Sequence, residues 1–318
     1  MIKLEEFDNF NLSGISYGGH GGSKKGILIN GEKWFLKYPK STKSMNVEGL
    51  SYSTTPISEY IGSHIYESIG LDTHKTKLGI ANGKVVVACK DFLSSKEVIF
   101  DYNSIKNEYD ENIEKEIEKI SSSSTIDSGN NLEEILIIME KNSYFKSNIE
   151  LKERFWDMFV IDAFIGNNDR NEGNWGLVVD RETKELRIAP VYDNGAAFFN
   201  KASDTKLNII YNNEFKFKQS VYESAIYIYR QTGKPINPLK FIESMVNKDC
   251  NEAILRIVPK INLLDIQAIF NELPEKYNKL PVLSKIQKDF YMKALKYKYE
   301  KVLLPIYNKL TSINNTKL

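Results

Sequence analysis

The sequence predicts an α+β chain of two lobes: a small antiparallel β-rich N-terminal lobe with one main helix, then a larger, mostly helical C-terminal lobe. Three observations predict it. Six glycines, Gly14, Gly18, Gly19, Gly21, Gly22 and Gly26, crowd the start of a region of short alternating apolar runs, the pattern of strands. Residues 94–148 then turn highly polar, with a Lys/Glu-dense stretch over 106–119 and SSSSTIDSGNN at 121–131. From 149 onward, apolar residues recur at helical spacing. The expected organisation is 1–92 as the N-lobe, 93–148 as a polar insertion leading into the C-lobe, and 149–318 as the helical C-lobe.

In the N-lobe, Ile27–Ile29 reads as a strand and Asn30-Gly31 as a hairpin turn, because a two-residue type I′ turn needs positive φ at both central positions. Glu32–Tyr38 returns, with Phe35 and Lys37 on one face and Trp34 and Leu36 on the other. Thr55-Pro56 reads as an N-cap followed by proline in the first turn, opening a helix to about Ile69 that Gly70 ends. Lys75–Ile80 and Lys84–Lys90 form a second strand pair around Ala81-Asn82-Gly83. The polar middle reads as a surface insertion, helical over 103–120 and mobile through the serine run.

Glu150–Gly166 predicts a helix, with Leu151, Phe155, Phe159 and Asp162 on one stripe. A polar loop, 167–174, follows, and then short strands at Trp175–Val179 and Leu186–Ala189. Leu283, Ile286, Phe290, Ala294 and Tyr297 mark a buried stripe on a late helix that Pro305 should kink or end. No internal repeat is visible.

Composition narrows the function classes. Lys+Arg total 43 against 42 Asp+Glu, a net charge of +1, which provides no global field for wrapping nucleic acid or an anionic membrane. Neither direct nucleic-acid binding nor membrane association is expected. Cys89 and Cys250 cannot form a disulfide framework, the longest apolar runs are too short to span a bilayer, and MIKLEEFDNF is not a signal peptide. A soluble cytoplasmic protein is the expectation.

Taken in order, these elements are the parts that phosphoryl transfer from ATP needs. A glycine turn over 16–24, with Gly18, Gly19, Gly21 and Gly22, lets backbone N–H groups approach phosphate oxygens; a flexible linker is the plain alternative. Lys37 sits mid-strand, an expensive place for an ammonium without a partner, and Glu59 on the next helix supplies one. In Gly166–Trp175, Asp169 would accept or orient the proton of an incoming hydroxyl, and Asn174 would ligate Mg²⁺. Asp193, in APVYDNG, would supply the charged metal oxygen. An Asx-rich turn is the plain alternative for the loop, but polar residues fill nearly all of it. His20, His64 and His74 show no metal-ligand spacing with the cysteines.

The motifs WFLKYP, ISEYIGSHI, VVACKDF, FWDMFVIDAFIGNNDRNEGNWG, IAPVYDNG and NKDCNEAILRIVPKI together resemble the HipA-like serine/threonine kinases, over nearly the whole chain. The resemblance implies a bilobal protein-kinase-like fold, with ATP and Mg²⁺ as cofactors and a protein Ser/Thr hydroxyl as acceptor. It implies Asp169 as catalytic base, Asn174 and Asp193 as Mg²⁺ ligands, and Lys37 paired with Glu59 on the phosphates. Ala88, Cys89, Lys90 and Phe92 would belong to the hinge that meets adenine. By analogy Ser13, Ser16 or Ser23 is the autophosphorylation site, a switch on the glycine turn. Two departures stand out: Asn171 replaces a His common two residues after the catalytic Asp, and the chain starts about a dozen residues before the glycine turn. The extra N-terminal subdomain of longer toxins is therefore expected to be missing, and an antitoxin-like or N-subdomain-like partner is one expected binder. Two rival readings are a small-molecule or phosphoinositide-type kinase and a nucleotide-binding pseudokinase serving as a toxin-module partner.

Overall fold

The computed structural model describes residues 1–14, 24–43, 50–108, 111, 113–115, 117, 130–231 and 233–315. The N-terminal lobe is a five-stranded sheet of β1 (Glu5–Glu6), β2 (Lys24–Ile29), β3 (Glu32–Lys37), β4 (Thr76–Ala81) and β5 (Lys84–Lys90), in the order β1-β4-β5-β3-β2. All pairings are antiparallel except the short β1–β4 contact. Both hairpins turn as their residues dictate: Asn30 and Gly31 have φ of 51° and 78°, and Asn82 and Gly83 have 49° and 65°.

Strand alternation divides the sheet's apolar residues between two cores. Ile27, Trp34, Leu36, Val86 and Ala88 pack with Phe7 on the outer face. Val87, Cys89, Leu78 and Ile80 pack inward with Ile57, Tyr60 and Ile61 of the Thr55–Ser68 helix. Lys37, paired in register with Val87, lies in the same strand as Leu36 but on the inward face. The helix begins one residue earlier than its sequence suggests. Thr54 is the N-cap and makes no side-chain capping bond, so proline in the first turn is the start signal that operates.

The C-terminal lobe is built around the Ile149–Ile165 helix, buried on nearly all sides and closed by Gly166 at φ 74°. Beside it lies a three-stranded sheet, β6 (Glu97–Asp101), β7 (Gly176–Asp180) and β8 (Leu186–Ile188). The stretch that reads as a polar insertion thus supplies strand β6. It also supplies helices at Leu132–Lys141 and Ser143–Ser147, whose Leu132, Ile135, Ile138 and Phe145 enter the main core. The serine run, 121–129, lies outside the described residues.

The late helix spans Lys285–Lys298 behind a Ser284/Gln287 capping box. Pro305 does not end it. A π turn at Tyr299–Leu303 precedes a further helix, Leu304–Asn315, and so re-registers the hydrogen bonding just where proline lacks an N–H.

The lobes also meet directly, beyond the connecting chain. Ile2 N donates to Glu272 O at 2.8 Å, and the Thr55–Ser68 helix packs on the Leu263–Glu272 helix. His74 N donates to Val191 O at 3.0 Å.

The N-terminal segment crosses the sheet at Gly79, where a Cβ would fall 2.2 Å from the Phe7 ring and 2.3 Å from Glu5 O. Backbone cannot yield as a side-chain tip can. Gly79→Ala is expected to destabilise by about 1–3 kcal/mol, read as a lower denaturant midpoint at unchanged slope; an unchanged midpoint would show that β1 is not held there.

Candidate active site

The centre of the cleft is one ammonium group. Lys37 Nζ lies 2.8 Å from Glu59 Oε2 and 2.7 Å from Asp193 Oδ1, joining β3, the N-lobe helix and the segment after β8. Burial works against this ammonium, but Asp193 and Glu59 together hold its pKa above the ordinary lysine value. Burial likewise opposes the Glu59 carboxylate, and Lys37 and then His74 hold it well below the usual range. Lys37 is also the first cause of the lowered Asp193 pKa.

Glu59 is fixed from its other side. Oε1 accepts from Asn194 N at 3.1 Å and lies 2.9 Å from His74 Nε2. This approach depends on two small residues. A Cβ on Gly62 would sit 2.8 Å from Asn194 Cβ, and one on Gly195 would sit 2.7 Å from Thr55 Cγ2. Contrary to the spacing argument, the fold gathers His74, Cys89 and Glu59 into one buried cluster, with one possible ligand atom from each inside 4.8 Å. Glu59 already serves Lys37 and Asn194, and burial pushes the Cys89 thiol far up, so the cluster anchors a carboxylate instead of holding a cation.

The polar loop after Gly166 is organised by Arg170. The residue is buried, with Nε 2.8 Å from Asp162 Oδ2 and Nη2 3.1 Å from Asp162 Oδ1, a fork on a carboxylate. The same guanidinium donates to Asn194 Oδ1 at 2.6 Å, to Asn174 O at 3.3 Å and to Tyr192 O. Tyr66 and Asn167 complete the shell of Asp162, at 2.7 and 2.9 Å. One buried cation therefore fixes both ends of the 169–174 loop and the Asp193 segment.

On this frame Asp169 remains solvent-exposed, and Asn174 Nδ2 donates to its carbonyl at 3.1 Å. That bond turns the Asn174 amide so that Oδ1 is left as an acceptor. Desolvation in the cleft, then the like charge of Asp193, holds the Asp169 carboxyl above its ordinary value. Asp193 takes a left-handed φ of 60°, which Asp tolerates better than most residues. Asn174 and Asp193 offer one neutral and one charged oxygen, hard donors of the kind Mg²⁺ accepts beside phosphate and water.

The structure thus brings Lys37, Glu59 and Asp193 into direct contact and places Asp169 and Asn174 beside them. Ala88 and Cys89 are buried on opposite faces of β5, Lys90 pairs with Glu32 at the surface, and Phe92 packs on Tyr192 with ring centroids 5.5 Å apart. Ser13 is placed by its N–H to Gly26 O at 3.1 Å. Gly18, Gly19, Gly21, Gly22, Ser16 and Ser23 lie outside the described residues. Sequence reasoning missed Asp162, Arg170, His74 and Asn194. Asp162 was signalled: a carboxylate on the apolar stripe of a helix needs a buried partner.

Because Glu59 and Asp193 have folded-state values below their unfolded ones, each contributes stability above the ordinary carboxylate pKa and loses it as pH falls through the folded value. Lys37→Met leaves the buried Glu59 and the half-buried Asp193 without their cation. The variant is expected to lose stability at pH 7, with the deficit shrinking as pH falls through the carboxylate range; a deficit constant with pH in urea titrations would contradict this.

Comparison with known proteins bears on this site. No family model matches the chain. The serine/threonine-protein kinase CtkA of Helicobacter pylori is 32% identical over 288 residues, covering 90% of this chain and 82% of that protein. The crystal structure of a Helicobacter pylori proinflammatory kinase CtkA superposes with a TM-score of 0.82 at 29% identity, covering 97% of this chain and 99% of the other. The HipA of Shewanella oneidensis MR-1, solved with HipB and operator DNA, shares the fold at a TM-score of 0.53 and 12% identity, over 93% of this chain and 68% of that one. The lobed fold expected from sequence is the fold of CtkA, and the chain belongs to the HipA-like serine/threonine kinases.

Proposed function

We propose that this kinase transfers the γ-phosphoryl group of ATP to a protein Ser or Thr hydroxyl in a Mg²⁺-dependent reaction, and that it also phosphorylates its own glycine-rich turn. The observation that carries the reading is Lys37, held between Glu59 and Asp193 although these residues are 22 and 156 positions away. An ammonium fixed at the centre of such a cleft is placed to take phosphate oxygens, with Glu59 keeping it in position. The segment Ala88–Phe92 would then border the adenine.

Asn174 and Asp193 would hold the magnesium, which supplies charge neutralisation on the phosphate oxygens when bound. Asp169 would accept the acceptor's proton. As the hydroxyl oxygen bonds to the γ-phosphorus, the bond to the β–γ bridging oxygen breaks and its electron pair leaves with ADP. A carboxyl raised above its ordinary value is a stronger proton acceptor than an unperturbed one, which suits that task. Arg170 holds the loop so that Asp169 and Asn174 keep their spacing, and it acts through them without meeting the substrate.

The test is labelled-ATP incorporation by the purified chain with Mg²⁺, beside Asp169→Asn and followed by phosphosite mapping. Asp169→Asn is expected to lower transfer by about 100- to 10,000-fold while ATP still raises the melting temperature. Label should map to Ser13, Ser16 or Ser23, where phosphate adds nearly two charges beside the nucleotide. Label found only elsewhere, as in 121–125, would remove self-phosphorylation of the turn. Undiminished transfer by Asp169→Asn would remove the assigned base.

A further inference from the structure

A cavity of about 770 Å³ opens on the C-lobe side of the catalytic loop. Its lining includes Asp169 but none of Lys37, Asn174 or Asp193, so it meets the loop from a side that the nucleotide cluster does not share. A space that touches the base and lies apart from the phosphate-binding lysine is where an acceptor hydroxyl must enter for in-line attack.

The charges on this lining are unequal. Its acidic members are Asp162 and Asp169, and Asp162 is already forked by Arg170. Against the one remaining carboxylate stand Lys201 and Lys206, while Arg230 and Lys298, which have contacts of their own, complete the basic lining. Lys201 and Lys206 are exposed and make no ion pair among the described residues. Lys201 is near enough to Asp169 for its charge to oppose, without cancelling, the rise of that carboxyl. Lys298 is buried, donating to Ala163 O at 3.0 Å and Phe164 O at 3.1 Å, so it belongs to the frame.

The wall also carries two irregular backbone features. Ser220 and Val221 belong to the π turn Gln219–Glu223, and Phe199, also on the lining, has a φ of 52°. π turns and left-handed bulky residues persist where surrounding structure enforces them, and both gather at functional sites. Lys201 and Lys206 have no ion-pair partner among the described residues, and an anionic acceptor is their natural complement.

We propose that this cavity is the acceptor site and that it selects acidic protein segments, in which Asp or Glu residues flanking the target Ser or Thr pair with Lys201 and Lys206. The inference rests on Asp169 being the base of a protein kinase. It adds the class of acceptor, which the nucleotide cluster does not determine.

The experiment uses the full chain with Mg²⁺ and labelled ATP. The probes are three peptides of equal length with one central serine, flanked by Glu, by Ala or by Lys. The Glu peptide is expected to exceed the Lys peptide by at least about tenfold in kcat/KM, with the preference fading at high salt. The double variant Lys201→Glu/Lys206→Glu should reverse the order, a gain that a misfolded protein cannot give. The milder Lys201→Gln/Lys206→Gln should level the three.

Equal use of all three peptides by the unaltered chain would overturn the acidic preference and leave the kinase reading intact. So would an order unchanged in both variants. Transfer to phosphatidylinositol phosphate in phosphatidylcholine vesicles, with none to any peptide, would overturn the proposal in favour of a headgroup acceptor. Absence of ATP consumption with every acceptor, and of self-labelling, would remove the reading on which the proposal rests and the proposal with it.

Discussion

A buried ammonium between two carboxylates is the contact on which the rest of this cleft depends. Lys37 is drawn from a strand, Glu59 from a helix and Asp193 from a loop of the other lobe, so their meeting sets the separation of the lobes at the cleft. Buried charges are costly to desolvate, and a pair is tolerated only when its remaining lone pairs and protons are satisfied. Here Asn194 N and His74 complete the Glu59 shell, and Gly62 and Gly195 permit the close approach that brings them there. The ion cluster and the packing around it are one arrangement, since a larger residue at either glycine would push the helix away from Asp193.

The catalytic loop is held by a second buried cation that does a different kind of work. Arg170 has many donors in a fixed plane, and it uses them on Asp162, Asn194 and the carbonyls of Asn174 and Tyr192. The adjacent residue Asp169 stays exposed. Neighbouring charges in the sequence thus face opposite surroundings: one is locked into the frame, and the other is left to titrate. A loop of this composition would otherwise be a mobile surface turn, because it has few apolar contacts of its own.

Much of this was legible in the chain. Asn-Gly pairs announced both hairpins, and a lysine in mid-strand followed by a glutamate in the next helix announced the central ion pair. The contribution of Arg170 was hidden because a single arginine in a polar loop looks like a solvated one, and only the third dimension shows Asp162 beneath it. His74 and Cys89 were separated by sequence and joined by the sheet. Residues 132–147 were masked by the polar stretch before them, although Leu132, Ile135 and Ile138 have the spacing of a buried helix face. Pro305 was expected to kink or end its helix, and it does not end it, because a preceding π turn frees the hydrogen-bonding register.

The attachments between the lobes have a mechanical consequence. Two lobes joined by a single strand of chain would swing like a clamshell. Here Ile2 is bonded to Glu272, the N-lobe helix lies on the Leu263–Glu272 helix, and the segment at His74 is stitched to Val191. A wide gape would have to break these attachments, because all three join one lobe to the other. The jaws are therefore bolted to each other at points besides the connecting chain, one of them at His74 beside the Glu59 carboxylate, and these bolts limit how far they part during each turnover.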